Sequence, residues 1–281
     1  MTNPIFRKEE VLVEALPFIQ QFEGKTFVVK YGGAIMTDEN LKSMIAQDVT
    51  LLRKIGINVV VVHGGGKEIT SLADKLKIES KFVDGQRYTD ENMRDVVQMV
   101  LAGLINKDIV RRINIHGGRA VGISGIDANL ITVKNVNEEL GLVGEVTDVN
   151  SSFINNLIQN GYLPVIAPIG VDENGTIHNV NADLAAGPIA ASINAEKLVY
   201  ITDTDGVQVN NERISHLTES ESKKLIKENI IAGGMIPKVE SALAAIDAGV
   251  QKVHIINGKV EHALLLEIFT KEGVGTEIVN E

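Results

Sequence analysis

Four consecutive valines, Val59 to Val62, run into His63 and then into three glycines, Gly64, Gly65 and Gly66. Four β-branched residues together fit a strand buried on both faces, as in a parallel sheet covered by helices. The glycines stop that strand at once, and residues 67–76 read as a helix directly after them. A strand that empties into a glycine turn at a helix N-terminus makes an anion cradle. Backbone N–H groups can approach a phosphate there, and the helix dipole favours negative charge. Neither common nucleotide template fits. G-x-x-x-x-G-K-[ST] needs glycine at 61 and a hydroxyl at 68, where the chain has Val61 and Glu68. G-x-G-x-x-G needs glycine at 69, which is Ile69.

The rest of the chain alternates. Strand-like runs at 26–30, 58–62, 163–167, 198–202 and 253–256 are interleaved with helix-like runs at 41–54, 93–114, 153–159, 182–193, 219–227 and 238–248. This predicts an α/β fold with a mainly parallel sheet between helices. Tryptophan is absent and aromatics make up only 4% of the chain, so Val, Ile, Leu and Ala must fill the core. Short strands with Gly and Asn between 120 and 149 predict an antiparallel patch beside the main sheet. A length of 281 residues suits one large domain or two lobes, with the switch near Asn179 to Asp183. Before the first strand, Val11, Leu12, Ala15, Leu16, Ile19 and Phe22 fall at helical spacing within 8–22. Pro17 is expected to kink that helix or to end its first part. The helix could dock on its own subunit or pair with another.

A net charge of −10 argues against nucleic acid as a partner, and an anionic ligand would need locally concentrated Lys, Arg and N–H groups. With no cysteine there is no disulfide, thiolate nucleophile or Cys-ligated metal. The apolar stretch at 6–22 is broken by charges, so neither a signal peptide nor a membrane span is expected, and the cytoplasm is the expected compartment.

Polar residues gather where strands end. Lys30 is followed by Tyr31, Gly32 and Gly33 at the carboxyl end of the first strand, where open α/β sheets bind ligands. Arg87, just before Thr89 and Asp90 at a helix start, could hold a carboxylate in a bidentate grip or lie on the surface. Asn179, Asn181 and Asp183 alternate along an extended segment. Asp183 could cap the following Ala-rich helix, or face a ligand to orient lysines or hold Mg²⁺. Thr202, Asp203, Asp205, Gly206 and Val207 form a turn after a strand, suited to a ribose or adenine. Gly233, Gly234 and Lys238 mirror the Lys30 arrangement at the start of a later helix. The six histidines are scattered and no metal-ligand spacing occurs. Only His63 lies beside a candidate site, where satisfying the backbone is role enough.

Two lysines and several glycine turns fit phosphoryl transfer, which needs positioning and charge neutralisation more than covalent help. At an effective dielectric of about 20, an ammonium about 4 Å from a unit charge contributes roughly 4 kcal/mol. A carboxylate nucleophile is already ionised at neutral pH and needs no general base, which suits a site poor in histidine.

Taken in order, Lys30-Tyr-Gly-Gly, His63-Gly-Gly-Gly, Gly85-x-Arg87-x-Thr-Asp, Asn179-x-Asn-x-Asp183, Thr202-Asp-x-x-Gly-Val and Gly233-Gly-Met-x-x-Lys238 resemble the amino-acid kinase family, in its acetylglutamate branch. The resemblance runs from about residue 26 to 279. It implies a three-layer sandwich around a mainly parallel sheet of about eight strands. It also implies ATP-dependent phosphorylation of the side-chain carboxylate of N-acetyl-L-glutamate, with Mg²⁺. Lys30 and Lys238 would stabilise the transition state and Asp183 would orient both. Gly32, Gly33 and Gly64 would donate to the phosphoryl group. Gly65, Gly66, Arg87 and Asn179 would hold the acid. Thr202, Asp203, Gly206, Val207 and Gly233 would line the nucleotide site. Residues 23–180 would form an acid-binding and dimerising lobe, and 181–281 an ATP-binding lobe. Arginine-inhibited members carry an extra N-terminal helix and a C-terminal Gly-x-Gly-Thr segment. Residues 1–22 and Glu272, Gly273, Gly275 and Thr276 match these, which implies L-arginine as inhibitor and a hexamer assembled from dimers. The chain departs from the pattern at Tyr88, Ile126, Asn129 and Pro188. Two other readings remain: a kinase of a related acid such as N-acetylaminoadipate, and a non-catalytic effector sensor on the same fold.

Overall fold

The valine run lies near the middle of an eight-stranded sheet. In the computed structural model, which describes residues 4–210 and 212–280, its strands are β1 (Thr26–Tyr31), β2 (Asn58–His63), β3 (Ala120–Ser124), β4 (Leu163–Ala167), β5 (Lys197–Thr202), β6 (His216–Thr218), β7 (Lys252–Asn257) and β8 (Thr276–Val279). The spatial order is β6-β8-β7-β5-β1-β2-β4-β3. The strands from β7 to β3 are mutually parallel, β8 runs antiparallel to β7, and β6 is parallel to β8.

Neighbouring residues of one strand feed opposite cores. Val59 and Val61 join Phe27, Val29 and Val199 on one face, with Val49, Leu52, Ile109 and Leu264 from the helices that cover it. Val60 and Val62 join Val28 and Leu198 on the other, beneath Ile154, Ala186, Ile189 and Ile246. Both faces are therefore dry, which is why these strands read as unbroken apolar runs rather than alternating ones. This is the expected α/β three-layer sandwich.

The structure modifies three expectations. The helix Pro4–Phe22 runs through Pro17 without ending. The carbonyl that Pro17 leaves unpaired belongs to Val13, which is exposed and open to water. The side chains of Val11 and Leu12 lie outside the described residues. Phe22 is buried edge-on to Phe27, with ring centres 5.2 Å apart, whereas Val13 and Leu16 face outward. The 120–149 patch is split. β3 belongs to the main sheet as an edge strand parallel to β4, while Ile131–Asn135 and Gly144–Val149 pair antiparallel in a separate four-stranded sheet with Ile169–Val171 and Ile177–Asn179. β3 reads weakly because Gly122 has to be small: a Cβ there would overlap Asn106 Oδ1. The expected 93–114 helix comprises Glu91–Gln98, a π-helical turn at Met99–Ile105 and Asn106–Ile115. As expected, Pro188 lies inside the helix Ala182–Ser192, and the carbonyl it cannot pair belongs to Leu184, an exposed residue.

Ala128 and Asn129 adopt left-handed φ values of 52° and 49°. Left-handed strain costs an L-residue roughly 1–2 kcal/mol, partly offset by the lower unfolded-state entropy of alanine. Ala128→Gly should therefore stabilise the fold by about 0.5–1 kcal/mol, read as a raised urea midpoint at unchanged slope. A lowered midpoint would mean that the Ala128 methyl makes contacts worth more than the strain.

Candidate active site

β1 and β2 are paired in register through Lys30–Val62 and Tyr31–His63, so their glycine turns leave the sheet side by side. The Gly64 N–H donates to the Tyr31 carbonyl at 3.0 Å. A Cβ on Gly32 would stand 3.3 Å from Gly64 Cα and N, so a side chain there would force the two turns apart. On the outer side a Cβ on Gly65 would overlap Ile105 Cδ1 of the π-helical turn. Gly65 precedes the helix Gly66–Lys75, whose N-terminus opens towards Lys30 across the same cavity.

Lys30 and Asp183 meet over this floor, Nζ to Oδ1 at 2.6 Å, with 13% and 31% of their side chains exposed. Asp183 is placed by its helix rather than capping it. Asn181 is the N-cap, and its Oδ1 accepts the Asp183 N–H at 2.8 Å. The Asp183 carbonyl accepts the Tyr200 hydroxyl at 3.0 Å. Asp183 thus pairs with Lys30 and leaves the capping to Asn181.

Arg87 is the second cationic element and is buried. Its guanidinium donates to Ser80 Oγ, the Gly66 carbonyl and Thr70 Oγ1 at 2.9, 2.8 and 2.7 Å, and it lies 4.7 Å from the Phe82 ring centre. Among the described residues no carboxylate forms an ion pair with it. Burial lowers its pKa from the ordinary arginine value, with the Asp74 charge opposing that shift. It stays cationic at neutral pH. A buried cation held by neutral acceptors invites an anion. Asn179 faces the same space, its amide donating to Thr89 Oγ1 at 3.2 Å. Lys30, Gly32, Gly33, Gly64, Gly65, Gly66, Arg87, Asn179 and Asp183 thus share one cavity of about 220 Å³. Tyr88 turns its ring to Gly141 and does not line it.

Lys238 stands outside that cavity and donates to the Gly234 carbonyl at 3.3 Å. Its helix, Ile236–Asp247, packs on Ala182–Ser192, where Gly187 lets Ala245 approach closely. Each of these helices leads into a parallel strand, so both N-termini open at the carboxyl edge of the sheet, on the Lys30 side. Asp203, Gly206 and Val207 line a separate cavity of about 440 Å³ with Ile230, Ile231 and Met235. Gly206 is left-handed, and the Val207 N–H donates to Thr276 Oγ1 at 2.8 Å. Thr202 is buried behind that turn, and neither it nor Gly233 lines the cavity.

A third cavity, about 650 Å³, lies between the end of the N-terminal helix and the C-terminal segment. Glu272 and Gly273 line it; Gly275 does not. Gly275 instead orders the segment, its N–H donating to Glu267 Oε2 and its carbonyl accepting from Arg213. Lys197, His254, Glu267 and Glu277 form a buried charge cluster at its base. Burial alone would raise Glu267, but the His254 hydrogen bond and the Val274 and Gly275 amides hold it below the ordinary carboxylate range.

Comparison with known proteins decides the family. The model of the amino acid kinase family matches residues 25–257. The chain belongs to the amino acid kinase family. Its curated relatives include acetylglutamate kinases of Chlorobium chlorochromatii, 55% identical over 96% of each chain, and of Kosmotoga olearia, 51% identical over 96% of this chain and 97% of that one. N-acetylglutamate synthase of Neisseria gonorrhoeae, solved with coenzyme A and N-acetyl-glutamate, superposes with a TM-score of 0.86 at 27% identity. That match covers 97% of this chain, which spans only 63% of the synthase. Carbamate kinase of Giardia lamblia, at TM-score 0.68 and 19% identity over 92% of this chain and 99% of its own, shares the fold.

The motifs of this amino acid kinase omit several residues that hold its cavity in shape. Thr70 and Ser80 support Arg87, and Tyr200 supports Asp183. Asn106, fully buried, donates to the Val165 carbonyl at 2.9 Å and meets His63 Nε2 at 3.2 Å. An amide inside an apolar helix was the available signal for Asn106, and a hydroxyl inside an apolar strand for Tyr200; Thr70 and Ser80 resemble ordinary surface residues. His63 Nδ1 faces the Gly64 carbonyl at 3.1 Å, so the ring pins the glycine turn as a neutral imidazole.

Burial and the Lys107 charge push His63 down to about 4, against a Gly64 hydrogen bond that raises it. The unfolded chain therefore binds a proton near pH 6.5 that the folded chain refuses. Its share of stability is complete above pH 6.5 and should fall by about 3 kcal/mol as pH drops towards 4. Urea melts at pH 7.5 and 4.5 should show a steeper loss in wild type than in His63→Gln; equal losses would mean His63 does not titrate this way.

Proposed function

We propose that this chain catalyses ATP-dependent phosphorylation of the side-chain carboxylate of N-acetyl-L-glutamate, giving N-acetyl-L-glutamyl 5-phosphate, a step of arginine biosynthesis. The observation that carries this is the Lys30–Asp183 pair standing in one glycine-floored cavity with an un-neutralised, buried Arg87. The names of the curated relatives support the same substrate.

In this reading Arg87 binds the α-carboxylate and Asn179 the acetamido group, leaving the side-chain carboxylate towards Gly32 and Gly64. One of its oxygens attacks the γ-phosphorus, the bond to the β-phosphate oxygen breaks, and ADP leaves. No proton has to move. The obstacle is repulsion between two anions, and Lys30 and Lys238 with the Gly32, Gly33, Gly64, Gly65 and Gly66 backbone offset it. Asp183 holds the Lys30 ammonium in place. ATP enters with Mg²⁺, which neutralises its phosphates. Among the described residues no group of three or more acidic or histidine side chains could hold a metal alone, which fits Mg²⁺ carried chiefly by phosphate and water. The Asp203–Val207 turn and the wall of Ile230, Ala232 and Met235 suit ribose and adenine. Residues 23–180 then act as the acid-binding lobe and 181–281 as the nucleotide lobe.

We also propose feedback inhibition by L-arginine at the third cavity, where Glu272 and Gly273 meet the N-terminal helix. Edge strand β3, with exposed Met99, Leu104 and Ile115 on the preceding helix, offers a face for a second copy. Outward-facing Val13 and Leu16 offer another, which together would build a hexamer from dimers in the cytoplasm.

With ATP and Mg²⁺, hydroxylamine should trap an acyl phosphate from N-acetyl-L-glutamate but not from L-glutamate, L-aspartate or N-acetyl-L-aminoadipate, and L-arginine should suppress it. Hydroxamate from aminoadipate instead would reassign the substrate. Lys30→Ala and Lys238→Ala should each lower kcat by roughly 10²–10³-fold, as for loss of one oxyanion donor. Near-full kcat in either would remove that lysine from the mechanism. Arg87→Lys, which loses the fork geometry, should raise KM for the acid with little change in KM for ATP; an unchanged acid KM would free Arg87 from that role.

A further inference from the structure

Asp48 lies in the middle of the helix Glu39–Lys54, only 2% exposed, and none of the chemistry above uses it. Its Oδ1 accepts from His262 Nδ1 at 2.6 Å. His262 sits far away in sequence, in the turn between β7 and the helix Ala263–Phe269, and holds a left-handed backbone with φ of 53°. A histidine in that conformation is strained, so something outside the backbone must favour it there.

The turn it closes reaches the nucleotide segment. The Asn257 amide donates to Asp205 Oδ1 at 2.6 Å, and the Gly258 N–H donates to the Thr202 carbonyl at 2.8 Å. Gly258 is also wedged between Ile201 and Ile35, for a Cβ there would stand 2.5 Å from a side-chain carbon of each. Ile35 belongs to the turn Gly33–Thr37 that follows the Lys30 glycines. One tight turn, 257–262, therefore touches the proposed nucleotide loop on one side and the back of the phosphate turn on the other. Its far end is tied to the helix Glu39–Lys54 through Asp48.

We propose that Asp48 and His262 are a positioning pair that sets the nucleotide segment against the phosphate turn. This rests on reading the Asp203–Val207 cavity as the nucleotide site. No other charged group competes for Asp48 among the described residues. Glu39, Lys42, Asp108 and Arg112 pair with one another near the start of its helix, and Glu267 of the following helix is bonded to His254. Burial pushes the Asp48 carboxyl up to about 6, with His262 pulling the other way, as expected of an acid whose one partner is this imidazole. None of residues 257–262 lines the cavity of Lys30, Arg87 and Asn179, whereas Asn257 and Gly258 bond directly to Asp205 and Thr202, so the effect is expected on ATP rather than on the acid.

The test is the split between the two Michaelis constants in the full-length enzyme. His262→Gly keeps the left-handed turn and removes only the imidazole. It should raise KM for ATP about tenfold, the loss expected for one charged hydrogen bond, and leave KM for N-acetyl-L-glutamate within about twofold. Asp48→Ala should match it. Asp48→Asn, which can still accept from Nδ1, should restore most of the ATP affinity. The double variant Asp48→Ala/His262→Gly should be no worse than either single one. Calorimetric titration with AMP-PNP and Mg²⁺ should follow the same order. Unchanged ATP constants in His262→Gly, or an equal rise in both constants, would overturn the proposal by leaving the pair only a backbone or general folding role. Asp203→Ala separates the two layers. If it raises KM for ATP while His262→Gly does not, only the positioning pair fails. If it leaves AMP-PNP binding intact, the nucleotide assignment fails and takes the pair with it.

Discussion

Everything at the carboxyl edge of the sheet depends on how closely two backbones approach, Gly32 after β1 and Gly64 after β2. Parallel pairing of Tyr31 with His63 brings the turns together, and the absence of side chains lets them touch. A floor made of backbone alone presents N–H groups rather than methyls, and only such a floor lets an anion sit beside Lys30. His63 stabilises the arrangement from behind, bonded to the Gly64 carbonyl and to Asn106. The histidine beside the glycines is therefore a fastening, not an acid or base.

On that floor the charges are arranged unevenly for a reason. The chain carries a net charge of −10, yet the cavity holds Lys30 and Arg87, and its one acid, Asp183, is spent on Lys30. Arg87 is satisfied only by Ser80, Thr70 and the Gly66 carbonyl, so its charge awaits a ligand. Two anions brought together for phosphoryl transfer need this local reversal of sign in an acidic protein. Lys238 stands at the start of the neighbouring helix, and Asp203 to Val207 follow β5. The candidate surface draws on the ends of β1, β2 and β5 and on three helix starts.

Much of this was legible in the sequence wherever a residue's role is local. The valine run predicts a two-faced strand because neighbours alternate between two dry cores, and the glycines after it predict a turn because no other residue fits there. The weakly patterned elements were hidden. β3 is short and interrupted by Gly122, whose smallness answers to Asn106. β6 and β8 lie at or beside the far edge of the sheet and carry polar residues such as His216 and Glu277. Pro17 suggested a kinked or interrupted helix, but the helix runs on, and the carbonyl it leaves unpaired belongs to the exposed Val13. Arg87 could not be told from a surface arginine, because its burial comes from Phe82, Thr70 and Ser80, none of which forms a motif with it.

The sequence by itself determined the fold class, the alternation of strands and helices, and the places where backbone must come close to an anion. Those follow from β-branching, helical periodicity and glycine, which act over a few residues. Tertiary structure alone decided which polar groups are paired and which are left available. Lys30 meets Asp183 from 153 positions away only because β1 and the helix before β5 share one edge of the sheet. Asp48 meets His262 across a still longer separation, because the turn after β7 folds back over the helix Glu39–Lys54. Side-chain pairing of this kind is fixed by packing across layers, and no local pattern in the chain encodes it.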